Sequence, residues 1–132
     1  MAVRKIEHVG IMVSSIENSI PFYKEVIGLS HLETITHTNG VIRLAFLAFP
    51  NSPDTEVELI EGFDGEVAQA GRVHHIAFTV DQLDDEFARL RGLSVQGIDK
   101  EITTLPNGSR YFFFNGPDGE AIEFFETTRG GK

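Results

Sequence analysis

The sequence predicts an α+β protein built from two tandem βαβββ modules, and three observations carry that prediction. Setting residue 6 against residue 73, an offset of 67, places apolar on apolar at seven positions. Ile6, Val9, Ile11, Val13, Ile16, Ile20 and Tyr23 face Val73, Ile76, Phe78, Val80, Leu83, Phe87 and Leu90. Within each segment the apolar period then passes from 2 to about 3.6, a strand running into an amphipathic helix. Turn signals divide the rest of each half into three strand-like runs.

The first strand covers residues 6–13, and Ser14 or Ser15 caps the helix behind it. Pro21 falls inside that helix and is expected to make its first turns irregular, and Gly28 ends it. Strands follow over 32–37, 41–49 and 55–61, with Asn39-Gly40 as a two-residue hairpin signal between the first two. The echo begins with a strand over 73–80. A helix follows Asp81, carries Asp84, Asp85 and Glu86 near its positive end, and stops at Gly92. Further strands are expected from 93–97 running toward Thr103, then over 109–114 and 120–126. Asn107-Gly108 and Pro117-Asp118-Gly119 supply the turns. The modules thus span 4–62 and 72–127 of a single domain, 1–132. The glycine-bearing stretch 62–72 links them, and 127–132 reads as a frayed tail.

At 132 residues the chain can bury a substantial core, whereas a module near 65 residues is marginal alone, so the two are expected to share one. Eleven Lys and Arg against 20 Asp and Glu give a net charge of −9, which argues against nucleic acid or an anionic membrane as partner. A small anionic substrate stays possible, because a local metal or one arginine overrides net charge. With no cysteine, thiolate catalysis, thiolate metal sites and disulfides are excluded. No apolar run approaches a membrane span and no secretory signal is visible, so a cytoplasmic protein is expected.

The chemistry lies in residues that recur with the repeat. His8 is echoed by His75, and Glu58 by Glu123; the separations are 50 (58 − 8) and 48 (123 − 75). Strand parity puts His8, Gly10 and Met12 on the face away from the helix, with His75, Ala77 and Thr79 equivalent. Glu58 and Glu123 fall on that same face, while Val57, Leu59, Ile122 and Phe124 pack inward. Gly10 and Ala77 leave room beside each histidine. A single histidine is more often structural than a ligand, but a glutamate inside an apolar strand is costly to bury without a partner. Four such residues at equivalent places on one face point to a divalent metal: Zn, Ni, Co, Mn or Fe(II). His74 has the opposite parity, His31 and His37 lack repeat partners, and Glu61 and Glu126 read as solvated strand ends.

Paired βαβββ modules with His-x-Gly-Ile, Val-Glu-Leu-Ile-Glu, His-His-Ile-Ala-Phe and Asp-Gly-Glu-Ala-Ile-Glu-Phe resemble the vicinal oxygen chelate superfamily over residues 4–127. That group includes glyoxalase I, methylmalonyl-CoA epimerase, extradiol dioxygenases and the fosfomycin and bleomycin resistance proteins. The resemblance implies an incomplete, U-shaped barrel around the metal, often in a homodimer. The ligand set His8, Glu58, His75, Glu123 is similar to that of glyoxalase I. Epimerases usually carry Gln at the second place, dioxygenases and fosfomycin enzymes use three ligands, and bleomycin-binding members generally lack the set. Glutathione-dependent glyoxalases commonly have Arg four residues after the first His and Asn four after the first Glu. Here those places hold Met12 and Gly62, so a different thiol adduct, or a substrate unrelated to thiols, is expected.

The function so implied is a metal-dependent lyase or isomerase that chelates two oxygens of a small substrate and abstracts a proton next to a carbonyl. Glu123 or Glu58 would be the base. Arg43, Arg110, Met12 and Tyr111 are candidates for holding substrate; an arginine in a strand either anchors an anion or snorkels over apolar neighbours. Phe112, Phe113 and Phe114 alternate between faces, with at most one ring per face near substrate. Two competing functions remain on the same fold: a metal-free protein that sequesters a ligand, and an Fe(II) dioxygenase or an epimerase-like enzyme.

Overall fold

Alternation of apolar and polar residues over 8–13 and 52–61 gives two strands that each bury one face. The computed structural model, which describes residue 2 and residues 5–62 and 73–129, pairs them side by side. The chain divides into two compact units, Met1–Ala68 and Gln69–Lys132. In the first unit β1 (His8–Val13) leads into α1 (Ile16–Phe22) and a π-helical turn, Tyr23–Ile27. Then follow β2 (Ser30–Thr36), β3 (Arg43–Phe49) and β4 (Ser52–Glu61), in the sheet order β1-β4-β3-β2. β1 and β4 are parallel and the other pairings antiparallel. The second unit has the same plan: β5 (Ile76–Thr79), α2 (Leu83–Gly92), β6 (Thr103–Thr104), β7 (Arg110–Asn115) and β8 (Ala121–Glu126), in the order β5-β8-β7-β6. β5 and β8 are its parallel pair.

Ser15 caps α1, its hydroxyl accepting from the Asn18 N–H at 3.2 Å. The irregularity expected in the first turns lies one turn later. Pro21 brings no N–H to the ladder, and the backbone beyond it widens into the π turn. Gly28, at φ 98°, closes that turn; its N–H and that of Leu29 both donate to the Tyr23 carbonyl, at 3.1 and 3.0 Å. The β2–β3 connection is wider than a two-residue hairpin. The His37 N–H donates to the Ile42 carbonyl at 2.7 Å, and Asn39 Oδ1 accepts from the Val41 and Ile42 N–H groups.

A strand expected from residue 93 toward Thr103 is instead a run of turns before the two-residue β6. Ser94 and Gly97 take φ of 56° and 67°, which no strand accommodates. The edge of β7 is still satisfied, by the loop. The Asn115 N–H donates to the Gln96 carbonyl, the Asp99 N–H to the Phe113 carbonyl, and the Phe113 N–H to Asp99 Oδ2. The stretch read as a frayed tail is anchored at Thr128, whose N–H donates to Ser109 Oγ and whose hydroxyl donates to the Asn107 carbonyl. Of the linker read over 62–72, only Gly62 lies within the described residues.

In each unit one sheet face is covered by its helix. Val13, Ile16, Tyr23, Ala45, Leu47, Val57 and Leu59 are buried in the first, and Leu83, Leu90, Phe112, Phe114, Ile122 and Phe124 in the second. Alternation along the strands then turns the intervening residues to the opposite face. That face carries the site.

Candidate metal and substrate site

The parallel pairing of β1 with β4 sets Gly10 opposite Glu58, and that of β5 with β8 sets Ala77 opposite Glu123. Each histidine stands two residues before the small one and reaches across to the glutamate. His8 Nε2 lies 3.3 Å from Glu58 Oε1, and His75 Nε2 lies 3.1 Å from Glu123 Oε1. A side chain at position 10 would crowd the pair, since an added Cβ would come within 3.1 Å of Ile60 Cδ1 and 3.5 Å of Glu58 Oε1. The middle strands add one aromatic ring each: Phe46 is opposite Glu58 and Phe113 opposite Glu123. Their rings meet the imidazoles edge-on, at 6.4 Å for His8–Phe46 and 5.0 Å for His75–Phe113. Phe113 is the one ring of the phenylalanine run on this face, Phe112 and Phe114 being in the core. Phe46 has the same offset of 67 from Phe113, a signal present in the sequence and passed over.

The two pairs differ in what holds the imidazole. Glu7 Oε1 sits 2.5 Å from His8 Nδ1, and a carboxylate can only accept, so that nitrogen is the donor. The Glu7 carboxylate raises His8 above the usual imidazole range, and the same hydrogen bond lowers Glu7. In the second unit His74 Nδ1 is 2.9 Å from His75 Nδ1, so the tautomer of one histidine sets that of the other. Glu123 is buried, 7% exposed, and burial raises its carboxyl above the ordinary range against the opposing pull of His75.

Of the substrate-binding candidates, Met12 lies on the face of His8 and Gly10 and is 36% exposed. Tyr111 pairs with Phe125 across β7 and β8, on the face of Glu123, and its ring stacks on that of Phe125 at 6.3 Å. Arg43 and Arg110 fall on the helix side, in parity with Leu47 and Phe112. Carboxylates of their own units engage both. Arg43 Nη1 is 2.9 Å from Glu17 Oε2 and 3.5 Å from Glu61 Oε2. Arg110 Nη2 is 2.8 Å from Asp84 Oδ2 and 2.9 Å from Glu126 Oε1. Glu61 and Glu126 are not merely solvated strand ends. Glu61 Oε1 accepts from the Ile16 N–H at 2.7 Å and Glu126 Oε2 from the Leu83 N–H at 3.4 Å, binding donors that open each helix. Each unit therefore repeats a clamp in which a strand-end glutamate ties helix and arginine together.

A model of the Glyoxalase/Bleomycin resistance protein/Dioxygenase superfamily matches residues 5–124. The chain belongs to that superfamily. Among its relatives in the superfamily, the uncharacterized protein YwbC of Bacillus subtilis is 53% identical over 123 residues, 93% of this chain and 98% of that protein. A lactoylglutathione lyase of Haemophilus influenzae is 30% identical over 127 residues, covering 92% of each chain. In structure, the chain is similar to the trypanothione-dependent glyoxalase I of Leishmania major, with a TM-score of 0.76 and 28% identity over 94% of this chain and 87% of that one. It is also similar to TnmS3, an antibiotic binding protein from Streptomyces sp. CB03234, with a TM-score of 0.80 and 25% identity over 97% and 99% of the two chains.

Superfamily members are generally metal-dependent, and the donor geometry can be tested against an ion. Nitrogen and oxygen ligands at ordinary bond lengths from one ion stand roughly 2.8–3.6 Å apart at octahedral or tetrahedral angles. The separations of 3.3 and 3.1 Å fall in that window. Each pair offers one imidazole and one carboxylate, a borderline-hard set. Within either unit, among the described residues, no third His, Asp or Glu joins the pair in a ligating group.

Proposed function

We propose that the protein is a metal-dependent lyase or isomerase of the glyoxalase I type, with His8, Glu58, His75 and Glu123 as the ligands of one divalent ion. The observation that carries the proposal is the duplicated His–Glu pair, at 3.3 Å in one unit and 3.1 Å in the other, on the sheet face that the helices leave open. An ion bound there supplies Lewis-acid polarisation of a carbonyl, which acidifies the neighbouring C–H bond. Glu123 takes the role of base. Its burial raises the carboxyl above the ordinary range, so the carboxylate is a stronger base than an exposed one. It removes a proton from the carbon beside the carbonyl and returns it to the adjacent carbon, an isomerisation with no net loss of atoms. Phe113 gives the transfer an apolar wall and Tyr111 extends it, while Phe46 and Met12 share the face of His8 in the first unit. Arg43 and Arg110 hold the helices.

Removing the thiol from a lactoyl thioester leaves a 2-oxoaldehyde, so the test is thioester formation from a 2-oxoaldehyde with a panel of thiols. The protein would be loaded in turn with Zn, Ni, Co, Mn and Fe(II). Turnover is expected with at least one combination, falling about 10²–10⁴-fold in Glu123→Gln. Unaltered turnover in that variant would remove Glu123 from the base role; no turnover with any combination would sink the glyoxalase reading. A second reading, a binding protein that sequesters its ligand, is favoured by the likeness to the antibiotic binding protein. It requires ligand affinity indifferent to replacement of His8 or His75.

A further inference from the structure

The second unit contains a cavity of about 320 Å³ whose wall is uneven in chemistry, with Phe78, Phe125 and Ala77 beside Glu123, Thr79, Thr127 and Arg129. Glu123, Phe125 and Thr127 are alternate residues along and just beyond β8, with Arg129 two further on, while Ala77 and Thr79 alternate on β5. All six line the cavity. Glu123 sits at one end of this series and Arg129 at the other, with Phe125 and Thr127 between them.

The donors in the wall find no acceptor among the described residues. Among the described residues, Arg43, Arg89 and Arg110 are paired with carboxylates, and Arg91 donates to the Lys100 carbonyl over the Phe87 ring. The Arg129 guanidinium is the described arginine head with no such partner. The Thr127 oxygen accepts from the Arg129 N–H at 3.0 Å, which leaves its hydroxyl proton uncommitted. The Thr79 hydroxyl likewise has no described partner. A fork of N–H groups and two O–H groups facing one cavity is a donor-rich wall, and its complement is an oxyanion. In the first unit the places of Thr79 and Thr127 are held by Met12 and Gly62, neither of which has a side-chain donor. On a chain of net charge −9, an anion needs such a local cation to enter.

We propose that this cavity is an anion subsite in which Arg129, with Thr79 and Thr127, holds a carboxylate or phosphate of the substrate while the reacting carbon lies toward Glu123. The proposal rests on the function proposed above for what happens at Glu123, and it narrows the substrate class to small carbonyl compounds or adducts that carry a negative group. Tyr111 stacks on Phe125 and supports that ring in the wall.

The test is titration of the whole protein with inorganic phosphate, followed by backbone amide NMR, in the wild type, Arg129→Gln and Arg129→Lys. Metal content is measured on the same samples. Saturable shifts centred on Thr79, Phe125, Thr127 and Arg129 are expected. Affinity should fall about tenfold or more in Arg129→Gln and less in Arg129→Lys, which keeps the charge but loses the fork. Equal affinity in wild type and Arg129→Gln, or shifts centred elsewhere, would overturn the subsite. Wild type that holds metal but shows no Arg129-dependent phosphate binding defeats the subsite alone. A metal-free wild type with Arg129-dependent binding defeats the enzyme reading and leaves the subsite standing.

Discussion

The two units share a sheet order and a His–Glu pair, but they surround that pair differently. In the first, a carboxylate holds the imidazole: Glu7 on His8 Nδ1 at 2.5 Å, with Gly10, Met12 and Gly62 leaving the face otherwise plain. In the second, His74 is the partner of His75, and the buried glutamate lines a cavity whose donors have no acceptor among the described residues. Duplication conserves what geometry demands of a pair of ligands, and divergence appears in the residues behind and beside them. On the function proposed above, both units supply ligands, and the second alone also places a buried glutamate beside a cavity.

That division can be broken most decisively at the glutamates. Glu58→Gln should cost turnover at least tenfold less than Glu123→Gln if, as proposed, Glu58 serves only as a ligand and Glu123 also as the base; equal losses in steady-state kinetics would erase the distinction. Next come the groups behind the imidazoles. Glu7→Gln should weaken metal affinity about 10–100-fold, measured by competition with a chelating dye, and His74→Gln should weaken it less. The reverse order would place the stronger orienting group in the second unit.

Smaller effects concern the helices. Ser19 in α1 is fully buried with a hydroxyl that finds no partner among the described residues, whereas its repeat equivalent, Glu86 in α2, pairs with Arg89. Ser19→Ala should therefore stabilise the protein by about 1 kcal/mol in urea unfolding, and a loss of stability would reveal a partner for that hydroxyl. The smallest effect is acidic. The arginines of the two clamps hold Asp84 and Glu17 below the ordinary carboxyl range. A carboxylate lowered in the folded state contributes stability above its unfolded value and loses it as pH falls through the folded one. The unfolding midpoint should thus drop below about pH 4, less steeply in Asp84→Asn; an unchanged slope would mean that this clamp carries no net stability.

The repeat and its parity made both sheets and both His–Glu pairs legible in the sequence. An offset of 67 and a period of 2 specify which residues share a face, and Glu58 and Glu123 emerged because a carboxylate amid apolar strand residues needs a reason. What escaped depended on side-chain reach and on local backbone. Glu7 lies just before β1 begins, where strict alternation no longer separates it from His8. Glu61 and Glu126 looked like exposed ends because a helix N–H in search of an acceptor leaves no mark on the sequence. The stretch after α2 resembled a strand in composition, but the positive φ at Ser94 and Gly97 turns it aside. Arg129 sat in what read as a loose tail, although its spacing of six from Glu123 keeps it in step with the site face.

The central claim is that the duplicated pairs hold a metal. The most direct measurement is elemental analysis of untagged protein purified without chelators, beside a His8→Ala/Glu123→Ala double variant. One transition metal per chain, lost in the variant, is the expected result. A wild type that arrives metal-free and takes up none of Ni, Co, Zn, Mn or Fe(II) on reloading would contradict it.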